Sequence, residues 1–300
     1  MKAALGIDLG ATHFRYAVVD PTGDVLEQHR GDTPTERGKI VPLLQRSIAR
    51  CLERHPDLLG VGIGVPGAVR GGVVESNNLS WSAFPLRDVL GIDSPPLLIE
   101  NDINAAAVGE WMFGAARGMR NAILLTVSTG IGAGILVEGQ LYRGAHGIAG
   151  EVGHTVVDLN GILCGCGRRG CWEMIASGTA HRRRITEAYH SGTWPNLTCE
   201  PTPEEVTERA RLGDRAALAL VRRTARYLAI GIANLVNQHD PEAIILTGGF
   251  ARSSWDLISG YVSQEVDEQS LTRDVRLMLG RLDDDAGVIG AASLVFHAGA

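Results

Sequence analysis

Three hundred residues suffice for two ordinary domains, and a formal net charge of −6 argues against a broad nucleic-acid surface. Apolar residues make up 45% and charged residues 21%, the balance of a globular chain with a sizeable core rather than of a disordered one. Aromatics are scarce at 5% while glycine is abundant at 38 residues, so tight turns or loops that approach a ligand closely are expected.

The N-terminus, MKAALGIDLGATHF, carries only the short apolar run AALGI before Asp8, too little for a signal-peptide core. No segment approaches the run of about eighteen apolar residues that a membrane span needs. Of the cysteines, Cys51 and Cys199 stand alone, while three cluster with a histidine in a pattern that suits reduced thiols on a metal better than disulfides. The expectation is a cytoplasmic protein that touches neither membrane nor nucleic acid.

In chain order, residues 3–7 and 14–19 predict two apolar strands joined by the turn DLGATH, and PTGD at 21–24 turns into a third. Ile40, Val41, Leu44, Ile48, Cys51 and Leu52 recur at helical spacing within 36–55. GVGIGVPGAV at 60–69 reads as a strand and a turn, and LLI at 97–99 as a short buried strand. An Ala-rich helix follows, for which Asn101 or Asp102 would serve as N-cap. The pattern then returns: a strand at 122–127, the turn STGIGAG and a returning strand ILVEGQLY. Residues 214–237 form a long amphipathic helix, AIIL at 243–246 is a strand ending in Thr247-Gly248-Gly249, and a last helix spans roughly 286–297. Two α/β halves, each led by a β-hairpin, with a cleft between them, are the expected architecture. The last helix is a candidate to pack on the first half.

The densest chemistry lies between His154 and Glu173, where HTVVDLNGILCGCGRRGCWE spaces one histidine and three cysteines as H-x9-C-x-C-x4-C. His154, Cys164, Cys166 and Cys171 make a closed tetrahedral zinc set, with Gly165, Gly167 and Gly170 allowing tight turns. Such a site holds a loop rather than activating water. The alternative is three buried cysteines without a metal.

Asp8-Leu9-Gly10-Ala11-Thr12 sits where a strand ends and the chain reverses, and backbone N–H groups in such a turn can face phosphate oxygens. Asp8 could hold Mg²⁺, and Thr12 offers a hydroxyl. Ser128-Thr129-Gly130-Ile131-Gly132 repeats the device in the second half. A plain hairpin explains either loop alone; the pair suggests a nucleotide clamped between matched halves, with Gly248 and Gly249 at the nucleoside end. Asp102 follows a buried strand and opens a helix, a rigid position whose helix N-terminus favours the ionised form a proton acceptor needs. Capping alone would also account for an aspartate there. With Glu100, Asn101, Asn77-Asn78, Glu151, His154 and Glu173 nearby in the same inventory, the side chains suit a polyhydroxylated ligand. Gly62-Ile63-Gly64-Val65-Pro66-Gly67 satisfies GxGxxG, but Pro66 and AVRGGVVESNN predict a turn and hairpin instead of the helix a dinucleotide site requires.

Taken together, DLGATHFR, END at 100–102, GEVGH at 150–154 and CGCGRRGCWE at 164–173 resemble the ROK family of sugar kinases, within the actin/hexokinase-like superfamily. The resemblance covers essentially the whole chain. It implies an α/β, two-domain, ribonuclease H-like fold with an interdomain cleft. An N-terminal domain at 1–118 would hold the first phosphate loop and the catalytic aspartate, and a C-terminal domain at 119–300 the second loop and the zinc. The family's first loop usually reads DxGGTxxR/K, so Ala11 stands where a second glycine is common, adding a methyl beside the phosphates.

The implied activity is ATP-dependent phosphorylation of a hexose at its 6-hydroxyl. Asp102 would be the base, and Asn101, Glu151, His154 and Glu173 would hold ring hydroxyls, with Gly67 and Asn78 on the far side. Asp8, Gly10, Ala11, Thr12, Thr129, Gly130, Gly248 and Gly249 would surround ATP and Mg²⁺, and zinc would join His154 to substrate recognition. VGEWMFGAARGMRN and YRGAHGIAGEVGH favour glucose. N-acetylmannosamine, N-acetylglucosamine and fructose kinases share the other motifs. Regulators of this family place a DNA-binding helix-turn-helix ahead of the first loop, which begins here at residue 8, so a kinase is expected rather than a regulator or a non-catalytic sugar-binding protein. By analogy the chain would form dimers or tetramers.

Overall fold

The computed structural model describes residues 2–298. Its first strands, β1 (Ala3–Leu9), β2 (His13–Val19) and β3 (Val25–Asp32), form an antiparallel meander with the expected turn at 10–12. Helix α1 (Arg37–Arg54) leads to β4 (Leu58–Val65), which lies parallel to β1. The stretch after Pro66 forms β5 (Ala68–Arg70), β6 (Val73–Ser76) and β7 (Trp81–Phe84), a small antiparallel sheet. The hairpin predicted in place of a dinucleotide-binding helix is therefore present. After α2 (Leu86–Leu90), β8 (Leu97–Asn101) joins β4 in parallel and runs into α3 (Asp102–Phe113).

The second run repeats the plan with β9 (Ala122–Val127), β10 (Ile131–Val137) and β11 (Gln140–Leu141). Helices α4 (Glu173–Ala176), α5 (Gly178–His190), α6 (Pro203–Arg211) and α7 (Arg215–His239) follow. The chain closes with β12 (Ala243–Thr247), α8 (Gly249–Gln269), β13 (Arg276–Leu279) and α9 (Ala286–Ala298). Sheet order is β3-β2-β1-β4-β8 in the first sheet and β11-β10-β9-β12-β13 in the second, the same pattern of a meander continued by parallel strands. The chain divides into two compact units. Of the described residues, one comprises 2–120, 134–150 and 280–298, and the other 121–133 and 151–279. Among the described residues, no helix is long and apolar enough to cross a membrane.

In the first unit, α9 lies against β1 and β4 on one side and α3 on the other. It is buried almost all round, through Val288, Ile289, Ala291, Ala292 and Leu294, which explains its apolar sequence without amphipathic character. Glycines make this approach possible. A Cβ on Gly6 would overlap Val288 O, and one on Gly62 would overlap Ala291 O. On the far side Gly290 packs against Gly109 and Ala105 of α3. Gly62 of the GxGxxG run thus serves a helix from the other end of the chain.

Gly62→Ala should cost about 1–3 kcal/mol, since backbone rather than a movable side chain meets the new methyl. Gly260→Ala, at an exposed mid-helix position of α8 with open space around it, should add roughly 0.5–1 kcal/mol. Urea denaturation midpoints of the two variants check both signs; unchanged stability of Gly62→Ala would refute the packing.

Candidate functional site

Asp8 sits near the end of β1 with its side chain largely buried. Arg15 of β2 donates from Nη2 to Asp8 Oδ2 at 2.7 Å and from Nη1 to the carbonyl of Asp284 at 2.6 Å. Burial pushes the Asp8 carboxyl above its usual range, and the Arg15 charge pulls it back only in part. A Cβ on Gly287, in the first turn of α9, would run into the Asp8 carboxylate, so bare backbone faces this group. The following turn closes through Gly10 N–H to His13 O at 2.9 Å and is held by Thr33, whose hydroxyl donates to Gly10 O at 2.7 Å. A Cβ on Gly10 would crowd His13 O at 2.9 Å. Ala11 and Thr12 are exposed at the tip, and Ala11 does not adopt positive φ, so alanine is accommodated there without backbone strain. Arg15 belongs to the matched motif but was not singled out from the sequence.

Where β8 becomes α3, the question of the cap is settled. Asn101 is the N-cap: its Oδ1 accepts from the amides of Ile103 and Asn104, both at 3.0 Å. Asp102 is instead the first helical residue, with Oδ1 taking the Ile103 amide at 2.9 Å. Gly64 of the neighbouring strand lies beside it, where a Cβ would come 3.3 Å from Asp102 Cα. Asn101 Nδ2 donates to Gly67 O at 3.0 Å, which ties the cap to a turn that needs glycine, with φ at +111°. Beneath them Glu100 is buried. Its Oε1 accepts from the Asn101 amide and Asn104 Nδ2, both at 3.0 Å, and its Oε2 from Arg143 Nε at 2.6 Å. Asn104 and Arg143 were not anticipated. Asn78 lies exposed in the turn between β6 and β7.

In the second unit, Ser128 N–H donates to Gly130 O at 3.0 Å, closing the second Gly/Thr turn, and Gly178 N–H donates to Ser128 O at 2.7 Å. Ser128 and Thr129 border a cavity of about 230 Å³ that also takes in Gly178, His181, Gly249 and Phe250. The second and third glycine turns of the sequence therefore meet at one cavity. Gly248, the N-cap of α8, has φ at +92°, and a Cβ there would crowd Val127 O at 2.6 Å, whereas Gly249 faces open space. Helices α5 and α8 both begin at this cavity, so their N-terminal dipole ends bring partial positive charge to it. His181 is fully buried, and burial holds its imidazole neutral by lowering its pKa to about 4.

Glu151 caps a single 3-10 turn that ends at His154, with His154 Nε2 3.8 Å from Glu151 Oε2. The other ring nitrogen, Nδ1, lies 3.6 Å from Cys164 Sγ, and Cys166 and Cys171 are 3.5 Å apart at sulfur. All four ligand atoms of His154, Cys164, Cys166 and Cys171 fall within 4.8 Å of one another. Tetrahedral zinc with bonds of about 2.3 Å sets its sulfurs about 3.8 Å apart, so the set fits that ion. Hydrogen bonds from Arg168 bring Cys166 down to about 6, whereas burial pushes Cys171 up to about 12. Of the three glycines, Gly167 and Gly170 take positive φ (+85° and +72°) and Gly165 does not, so only two are needed for the turn.

Glu173 follows this knuckle as the first residue of α4, and its Oε2 accepts the Ile131 amide at 3.1 Å. Trp172, between it and Cys171, is buried in a slot opened by Gly231 and donates from Nε1 to Tyr227 O at 2.8 Å.

The ROK family model matches residues 4–298. The glucokinase of Thermotoga maritima is 35% identical, the match covering 97% of this chain and 96% of that protein. The xylose repressor of Caldicellulosiruptor bescii is 31% identical over 97% of this chain but only 77% of its own length. A solved structure of a ROK family glucokinase from Streptomyces griseus in complex with glucose and AMPPNP superposes with a TM-score of 0.82 at 32% identity, covering 98% of this chain and 99% of that one. This chain belongs to the ROK family and has its two-domain, actin/hexokinase-like fold.

Proposed function

We propose that the protein is an ATP-dependent glucokinase, transferring the γ-phosphoryl group to the 6-hydroxyl of glucose. The observation that carries the reading is the division of labour at the start of α3. Asn101 caps the helix, and Asp102 is held as its first residue beside Gly64, where the helix N-terminus favours the ionised carboxylate that a proton acceptor needs. Near full-length likeness to glucokinases supports glucose among the hexoses. N-acetylmannosamine, N-acetylglucosamine and fructose are the weaker alternatives. Initial rates on these sugars and glucose test the choice, and the reading requires glucose to have the highest kcat/KM.

In this mechanism Asp102 accepts the proton as the 6-oxygen attacks the γ-phosphorus and ADP departs. Asn101, Glu151, His154 and Glu173 bind the ring hydroxyls, with Gly67 and Asn78 completing the set. The turns at 8–12 and 128–132 and the start of α8 hold the triphosphate and nucleoside, with Arg15 placed to counter charge beside Asp8. Asp8 is a hard oxygen donor of the kind Mg²⁺ selects, and that ion would neutralise charge on the phosphates. Zinc on His154, Cys164, Cys166 and Cys171 would fix the ring tautomer of His154 through Nδ1 and leave Nε2 for a sugar hydroxyl.

Asp102→Asn should keep glucose binding and lower kcat by about 10²–10⁴-fold; steady-state kinetics with near-normal turnover would remove it from that role. Purified protein should contain one zinc per chain, and Cys166→Ser should weaken zinc retention by about 10–100-fold and raise KM for glucose more than it lowers kcat. Elemental analysis without zinc would end that assignment.

A further inference from the structure

The second phosphate turn has two tethers to the segment that follows the cysteine knuckle, and they differ in kind. On one side Ser128 O accepts the Gly178 amide at 2.7 Å, a bond between main chains. On the other, the Ile131 amide is held by a side chain, Glu173 Oε2, at 3.1 Å. Glu173 is the residue that the kinase reading places on the sugar. Its backbone is fixed by the two residues before it: Cys171 belongs to the four-ligand cluster, and Trp172 is buried against Gly231 and Tyr227. The carboxylate therefore has little freedom except rotation of its own side chain. Gly130 lies directly against it, and a Cβ there would overlap Oε2.

We infer that Glu173 couples the two substrates, one carboxylate oxygen receiving a hexose hydroxyl while the other holds the Ile131 amide of the phosphate turn. The inference rests on the kinase reading and names a positioning role beyond it. A hydroxyl donated to Oε1 selects the rotamer that keeps Oε2 on Ile131, so the turn is ordered before the nucleotide arrives. ATP then binds without the cost of ordering that segment, and linkage requires nucleotide to strengthen hexose binding by the same factor. A carboxylate that held only sugar would have no reason to share an oxygen with this amide.

The test is calorimetric titration of the full-length, zinc-loaded protein with Mg²⁺ and a non-hydrolysable ATP analogue, with and without saturating glucose. Wild-type protein should bind the analogue about 5- to 150-fold more tightly with glucose present, the usual span of such couplings. Gly130→Ala, which displaces the carboxylate end and no backbone, should weaken the binding of each ligand alone and bring the coupling factor near one. Glu173→Ala should lose coupling likewise, and Glu173→Gln should retain it, because its amide oxygen can accept the same N–H. Zinc content and melting temperature should not track these changes. Wild-type binding without coupling, or full coupling in both Gly130→Ala and Glu173→Ala, overturns the inference. A wild-type protein that binds neither glucose nor the analogue overturns the kinase reading instead.

Discussion

A buried carboxylate at the end of β8 organises the start of α3. Glu100 takes the Asn101 amide, the Asn104 side chain and the Arg143 guanidinium, so its charge is fully engaged. Removing any partner would leave an ionised group short of hydrogen bonds in a dry place, which costs far more than a surface contact. Asn101 is thereby fixed to cap the helix and to grip the Gly67 turn, and Asp102 takes its place as the first helical residue. The position of the proposed base thus follows from a network in which it is not the central member.

The second unit reaches a similar end by different means. It has a knuckle of three cysteines and a histidine, a tryptophan seated in a glycine-lined slot, and a glutamate that reaches the phosphate turn. Each member of Cys171-Trp172-Glu173 has a separate job, and the three are consecutive in the chain. A short segment thus transmits the rigidity of the cluster and of α7 to one carboxylate.

Much of this was legible because glycine, threonine and apolar periodicity punctuate the chain locally. The hairpin at 10–12, its repeat at 128–130, the long helix ending near 239 and the closing helix from 286 all follow from short-range pattern. The spacing from His154 to Cys171 also brought its four ligand atoms together. Pro66 and the following AVRGGVVESNN exclude the GxGxxG reading at 62–67, and that stretch forms β5, β6 and β7. The actual uses of those glycines were not readable, because Gly62 answers to Ala291, Gly64 to Asp102 and Gly67 to Glu75. Arg143 on Glu100 and Glu173 on Ile131 were invisible for the same reason: each bond joins residues far apart in sequence. The sequences of α5 and α8 are polar or weakly amphipathic and carry little periodic signal, so the cavity both helices open onto is not legible from local pattern.

The most direct test of the account is a crystal structure of the protein with glucose and a non-hydrolysable ATP analogue. The account predicts an Asp102 carboxylate oxygen within about 2.6–3.2 Å of the glucose 6-oxygen, the reach of a general base. A 6-hydroxyl bonded to some other group, with Asp102 turned back into its own helix, would contradict it.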